Sequence, residues 1–93
     1  MRSVVLTPAA QAEVIEAQDW YEREAPGLGA SFRAEVERVV HRLAANPLQF
    51  PDVRRARLRT FPYGLFFWVV DDGVFVIACF HSSRDPRVWR RRV

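Results

Sequence analysis

Three arginines alternate with apolar residues between Val53 and Thr60, and this two-residue period predicts a β-strand. Arg55, Arg57 and Arg59 would then lie on one face, about 6.8 Å apart along the strand, while the residues between them face the core. Phosphates along a nucleic-acid strand have a comparable spacing, and guanidinium groups bind phosphates or carboxylates through paired hydrogen bonds. The row therefore indicates either a partner-binding surface or a charged strand edge that discourages aggregation.

Proton-transfer chemistry could come from a histidine at the end of the last predicted strand. His81 is suited to this role because the pKa of histidine lies near neutrality, and Arg84 follows three residues later. With Arg57 and Arg59, these residues could supply the base, the acid and the cations that cleavage of RNA through its 2′-hydroxyl requires. The alternative is that His81 is a structural residue that forms hydrogen bonds at a strand end.

The charges are divided unequally along the chain. Residues 1–50 carry five Arg and seven acidic residues, a net charge of −2, whereas residues 51–93 carry nine Arg and four acidic residues, a net charge of +5. All fourteen cationic residues are Arg. Codon bias in a GC-rich genome would explain the absence of Lys but not the concentration of Arg in the second half. A basic half-surface predicts an acidic partner, either nucleic acid or an acidic protein segment.

Length and composition exclude several classes of protein. A chain of 93 residues is one domain, 1–93, and its single cysteine, Cys79, cannot form an intramolecular disulfide or a multi-cysteine zinc site. No metal-ligand spacing, nucleotide-binding glycine loop or serine nucleophile motif occurs, so we expect neither a metal nor a cofactor. We expect a cytoplasmic protein with no membrane contact, because there is no run of about 18 apolar residues and no signal-peptide core.

The first half of the chain predicts a strand followed by two helices. Arg2–Leu6 reads as the strand, and Thr7 with Pro8 forms a typical helix start. Apolar residues at helical spacing predict one helix to about Arg23 and a second over Ala30–Ala45, separated by the helix-breaking sequence PGLG. A break this short makes the two helices antiparallel neighbours.

The second half of the chain predicts three strands. After the arginine segment, Leu65–Val70 is continuously apolar, Asp72 and Gly73 predict a hairpin turn, and Val74–His81 forms the returning strand. The resulting order is β-α-α-β-β-β. We therefore predict a two-layer α+β domain in which a helical hairpin covers one face of a mainly antiparallel four-stranded sheet.

Large apolar side chains are expected on the uncovered face of that sheet. Phe66 and Trp68 share one side of the central strand, opposite Phe67. Exposed apolar side chains of this size mark partner sites. With Trp89 and the arginine row, Phe66 and Trp68 are the predicted partner-binding residues.

Taken in order, these segments resemble the RelE/ParE superfamily of bacterial toxins from type II toxin–antitoxin modules. The residues that carry the resemblance are VVLTPAA, EVIEAQDWYE, PGLGASF, ANPLQFPDV, RRARLRTFPYGLFFWV and VFVIACFHSSRDPRVW. The resemblance implies a small toxin that forms a hetero-oligomer with a cognate antitoxin, usually a DNA-binding protein with a disordered tail. That tail would lie across the sheet and the helical hairpin.

The superfamily divides by cellular target. Members that resemble RelE cleave messenger RNA on the ribosome, and members that resemble ParE inhibit DNA gyrase. Here Gly64 stands where many ribonuclease members have Arg, and Trp89 stands where they have a C-terminal Tyr. The resemblance therefore favours a ParE-like toxin that inhibits growth by binding gyrase. The alternatives are a ribosome-dependent endoribonuclease and a non-toxic antitoxin-binding module. In the ribonuclease case, the catalytic residues would be His81, Arg84, Arg57 and Arg59.

Overall fold

Two helices and four strands follow one another in the predicted order within residues 2–49 and 55–83, which the computed structural model describes. They are β1 (Ser3–Leu6), α1 (Pro8–Glu24), α2 (Leu28–Ala45), β2 (Arg55–Arg57), β3 (Tyr63–Val70) and β4 (Gly73–His81). A single 3₁₀ turn, Pro47–Gln49, follows α2. The candidate residues Arg84 and Trp89, and the first two residues of the predicted arginine strand, lie outside the described residues.

The four strands form one sheet in the order β1-β4-β3-β2. The β2–β3 and β3–β4 pairs are antiparallel, and β1 pairs with β4 in parallel. Both helices pack on one side of this sheet, where the main core lies. The predicted two-layer α+β fold is confirmed. No helix in the described ranges is long and apolar enough to cross a lipid bilayer.

The start of α1 follows the local signals in the sequence. The Thr7 hydroxyl oxygen accepts a hydrogen bond from the Ala10 amide at 3.2 Å, and Pro8 occupies the first turn. The second helix begins at Leu28, two residues earlier than predicted. The Glu22 carboxylate on α1 explains this early start, because it accepts hydrogen bonds from the Gly27 and Gly29 amides at 3.0 Å each. A side chain from the preceding helix thus caps α2.

The two helices cross closely at Gly29. A Cβ atom at this position would lie 2.7 Å from the Gln18 carbonyl oxygen and 2.9 Å from the Glu22 Cβ. Gly27 is required for a different reason, since its φ of 87° lies in the left-handed region that side chains disfavour. The PGLG segment therefore determines both the turn between the two helices and the short distance at which they pack.

The main core fills the space between the helical hairpin and the sheet. The helices contribute one apolar stripe each, and β3 and β4 contribute alternate side chains. Its largest fully buried members are Phe32, Phe67, Leu43, Leu65, Val14, Val74 and Val76.

A bulge in β4 interrupts the alternation of side chains. Phe66 pairs with Ala78, but the next residue of β3, Phe67, pairs with Val76, so Ile77 is an extra residue. Two consecutive β4 residues, Ile77 and Ala78, therefore lie on the face away from the helices, where they cluster with Phe66 and Phe80. Beyond the bulge, every side chain of β4 is on the opposite face from the one that simple alternation assigns.

The arginine strand is shorter than predicted at its C-terminal end. Within the described residues β2 ends at Arg57, and residues 59–62 form a bend. The prediction that the strand extends to Thr60 is therefore wrong. The backbone turns here because the Glu35 carboxylate on α2 accepts the Arg59 and Thr60 amides at 2.7 and 3.0 Å, in place of a neighbouring strand.

We predict that Gly29→Ala destabilises the fold by about 1–3 kcal/mol, because the added methyl group collides with α1 backbone. Alanine in place of glycine would otherwise stabilise a helix by up to about 1 kcal/mol, so the sign of the effect tests the close crossing. The measurement is urea unfolding followed by circular dichroism. Gly73→Ala is the matched control, since its Cβ would meet only ordinary contacts of 3.4 Å or more. A stabilised Gly29→Ala variant would contradict the packing described.

Candidate partner-binding surface

The face of the sheet away from the helices, here called the open face, carries the predicted arginines at one edge. Arg55 and Arg57 are aligned with Phe66 and Gly64 of β3, so all four residues share this face. Arg57 is exposed and Arg55 is partly buried. The residues between and after them, Ala56 and Leu58, are buried in the core, as their alternation predicts.

The side chain of Arg55 covers Gly64. A Cβ atom at Gly64 would lie 3.2 Å from the Arg55 Cγ and 3.6 Å from its Cδ. A larger residue at position 64 would therefore have to displace the aliphatic part of Arg55.

Three large apolar side chains form a continuous row across the open face. Val5 of β1 is aligned with Phe75 of β4, which is aligned with Trp68 of β3. Their exposed fractions are 49%, 40% and 40%, respectively. We call this set the apolar row. Because exposed apolar patches often mark interaction sites, the open face is the candidate contact surface.

Phe66 differs from Trp68 although both lie on the open face. Only 7% of Phe66 is exposed, because the bulge gathers Ile77 and Ala78 beside it and Phe80 packs with a ring-centroid distance of 5.9 Å. Phe66 therefore supports the open face from within. The candidate contact surface consists of the apolar row and the arginines.

Arg59 is held at the end of the arginine segment by the buried carboxylate of Glu35. This carboxylate accepts hydrogen bonds from the Arg59 amide, the Thr60 amide and the Thr60 hydroxyl. Burial alone would raise the pKa of Glu35, but these hydrogen bonds and the nearby charge of Arg38 lower the pKa below its ordinary value of 4.5. Glu35 thus remains ionised and fixes the bend through which the chain leaves β2.

His81 lies on the helix side of the sheet and not with the arginines. It is aligned with Tyr63, and the two rings meet edge to face at 5.3 Å. Its Nδ1 atom accepts a hydrogen bond from the Ser83 amide at 3.1 Å. Simple alternation along β4 would place His81 on the open face, but the bulge reverses its side. The structure therefore does not bring His81 together with Arg57, and the predicted third member, Arg84, lies outside the described residues.

His81 lines a groove of about 440 Å³ between α1 and the ends of β3 and β4. Cys79 also borders this groove, and its amide donates a hydrogen bond to the Glu13 carboxylate at 3.1 Å. Burial, with the charge of Glu13, raises the pKa of the Cys79 thiol to about 12. The thiol is therefore protonated at neutral pH and unsuited to nucleophilic chemistry. No group of three or more potential metal ligands occurs in the described part of the chain.

Comparison with known families agrees with this geometry. The family model for the "ParE toxin of type II toxin-antitoxin system, parDE" matches residues 4–86. This chain belongs to the ParE toxin family. The predicted resemblance to the RelE/ParE superfamily, on its ParE-like side, is confirmed.

The fold of this ParE family member is also similar to a solved structure described as a chromosomal ParDE TA system from P. aeruginosa. The two share 22% sequence identity, with a TM-score of 0.70 over 87% of this chain and 96% of the other. No curated protein sequence matches the chain. The structural likeness is one of fold, and it covers both layers of the domain.

Sequence reasoning missed two features of the surface in this ParE family member. Glu35 follows Phe32 by three residues and precedes Val39 by four, so it lies on the buried stripe of α2. A carboxylate at such a position must find buried donors, and this signal could have identified it. Val5 and Phe75 were also missed as exposed members of the open face, because the parallel pairing of β1 and β4 was not predicted.

We predict that Glu35→Gln destabilises the protein by about 1–2 kcal/mol at pH 7, because the hydrogen bonds then lack the carboxylate charge. The difference from wild type should shrink as the pH falls below 4.5. In that range the unfolded state binds the proton first, since the folded pKa is the lower one. The measurement is urea unfolding of both proteins at a series of pH values from about 7 to 3.

Glu37→Gln on the same helix is the control for this experiment. Glu37 is exposed and forms a surface ion pair with Arg33 at 3.5 Å, so its loss should cost about 0.5 kcal/mol or less. A wild-type advantage over Glu35→Gln that stays constant from neutral to acidic pH would show that the carboxylate charge is not involved.

Proposed function

We propose that the chain is the toxin of a type II toxin–antitoxin module that arrests growth by binding DNA gyrase in the cytoplasm, and that a cognate antitoxin neutralises it. The observation that carries this proposal is the match of the ParE toxin family to residues 4–86. The cognate antitoxin would form a hetero-oligomer with the toxin.

The open face supports an antitoxin-binding role. Its arginine edge suits carboxylates of a disordered acidic segment, and its apolar row suits large apolar side chains of the same segment. We propose that the segment contacts Arg55, Arg57 and Arg59 at one end and Trp68 at the other. Of the predicted partner-binding residues, Phe66 would contribute as the buried support of this surface.

The positions of the ionisable groups favour inhibition by binding over RNA cleavage. A ribonuclease site would need a proton donor and acceptor beside the cations that bind phosphate. Strand alignment instead places His81 and Arg57 on opposite faces, and the stem of Arg55 covers Gly64, where ribonuclease members place another Arg. The described residues therefore offer a contact surface rather than a catalytic arrangement.

We expect the purified chain to inhibit supercoiling by DNA gyrase in vitro, and its induction without the antitoxin to relax plasmid DNA while messenger RNA stays intact. Because His81 has no catalytic role in inhibition by binding, His81→Ala should retain inhibition, provided that its circular dichroism spectrum matches wild type. The measurement combines plasmid topology with RNA integrity in the same cells.

Other outcomes of this experiment identify the alternatives. Cleaved messages with normal supercoiling, and loss of both cleavage and toxicity in His81→Ala, would replace gyrase inhibition with ribosome-dependent endoribonuclease activity. Harmless induction of a folded chain that still binds its antitoxin would indicate a non-toxic binding module.

We also predict that Arg57→Ala together with Arg59→Ala weakens antitoxin binding by about 0.5–1 kcal/mol per arginine and reduces its dependence on salt. Arg33→Ala is the comparison variant, because Arg33 is an exposed arginine on the helical layer, and a smaller loss of affinity there would assign the stronger contact to the open face. The measurement is titration calorimetry at several salt concentrations. An affinity that does not respond to the double substitution would argue against an electrostatic interface on the open face.

A further inference from the structure

A pocket of about 200 Å³ opens beside the arginines, where the chain turns away from the end of β2. Phe66 of β3 and Phe80 of β4 line this pocket together, and Phe61 of the bend adds a third aromatic ring. The stem of Arg55, which lies over Gly64, forms another part of the lining. The interior of the pocket is therefore largely apolar.

The charged part of the lining is basic. Arg55 and Arg57 both border the pocket, and no acidic side chain occurs among the described residues that line it. Arg57 is exposed, and no carboxylate in residues 2–49 or 55–83 forms an ion pair with it. A guanidinium group binds a carboxylate through strong, charge-assisted hydrogen bonds. Charge complementarity therefore favours an occupant that combines an apolar group with a carboxylate.

The size and burial of the pocket favour a protein side chain over a nucleotide. Sites for small molecules typically enclose about 300–1,000 Å³, so this pocket suits a single side chain of the kind that anchors protein interfaces. Single-stranded nucleic acid binds by stacking its bases on exposed aromatic faces. Here Phe66 and Phe80 are only 7% and 3% exposed, so they offer a pocket wall and not a stacking platform.

We propose that this pocket receives one large apolar side chain of the antitoxin segment, while Arg57 binds a carboxylate two residues away in that segment. In an extended chain, residues two apart face the same side about 6.8 Å from each other. Arg57 is aligned with Gly64, which lines the pocket on the neighbouring strand about 5 Å away, so both groups of such a segment can bind together. The antitoxin as source of the segment rests on the proposed function, and the pocket adds the sequence pattern that it recognises.

The first test selects ligands on the full chain, purified without antitoxin, from a library of random twelve-residue peptides displayed on phage. We expect the enriched peptides to carry a large apolar residue two positions from an acidic one. Ser82→Trp should weaken their binding about tenfold or more, because Ser82 is exposed at the pocket and an indole there would fill it. Ser83→Trp is the matched control, since Ser83 is also exposed but does not line the pocket, and it should leave binding unchanged.

The second test measures the coupling between Arg57 and the carboxylate by titration calorimetry with a synthetic copy of one enriched peptide. Arg57→Ala and replacement of the peptide carboxylate by an amide should each weaken binding about threefold to tenfold, and both together no more than either alone. Replacing the apolar residue of the peptide by alanine should weaken binding to wild type and to Arg57→Ala by the same factor. A twelve-nucleotide RNA should not displace the peptide at about 0.15 M salt.

Each variant is first compared with wild type by circular dichroism. If Ser82→Trp fails this check, Ser82→Leu replaces it, because a smaller apolar side chain at the same position also occupies the pocket.

Four results would overturn the proposal. They are a selection that enriches no peptide with this pattern, binding that the filled pocket does not weaken, additive effects of Arg57→Ala and the peptide amide, and displacement of the peptide by RNA. The last result would assign the pocket to nucleic acid. None of these measurements involves gyrase or the antitoxin itself. A chain that inhibits gyrase but selects no such peptide would contradict the pocket alone, and the reverse outcome would contradict the toxin activity alone.

Discussion

The structure depends on a helical hairpin that is just wide enough to cover one face of the sheet. Four strands span about 14 Å between the outermost two, and two packed helices about 10 Å apart, with their side chains, match that width. Gly29 sets this spacing because a side chain there would push α2 away from α1. Because both described helices pack on one side of the sheet, neither of them covers the open face. Its exposed apolar row follows from this division of the chain.

The bulge at Ile77 then divides the open face into two parts. Near the bulge, the consecutive side chains of Ile77 and Ala78 both lie on the open face and bury Phe66. This part of the open face is therefore a small second core. Farther along the strands, Trp68 and Phe75 have no such extra neighbour and stay exposed. A single inserted residue therefore confines the exposed apolar row to the Trp68 end of the sheet and also turns His81 to the other face.

Much of this fold could be predicted because its signals are local. The apolar period of each helix and the cap at Thr7 depend on neighbours in sequence, and both occur where the sequence indicates. The hairpin turn was predicted at Asp72 and Gly73 but lies one residue earlier, at Asp71 and Asp72, because Gly73 already pairs with Val70 in the sheet. The side of the sheet on which His81 lies could not be predicted, because the bulge arises from pairing between two strands. The bend after β2 was missed for a similar reason, since its donors are satisfied by Glu35, more than twenty residues away.

The surface that results suits a protein partner better than nucleic acid. Nucleic-acid affinity grows with the number of phosphates that cations neutralise, and the bend leaves only Arg55 and Arg57 on the described strand. Beside them lie the exposed apolar side chains of Trp68 and Phe75, which offer no donor or charge to a phosphate backbone. A polypeptide can place acidic and apolar groups over the same distance. We therefore interpret the arginine row, which first suggested a phosphate track, as one end of the proposed protein-binding face.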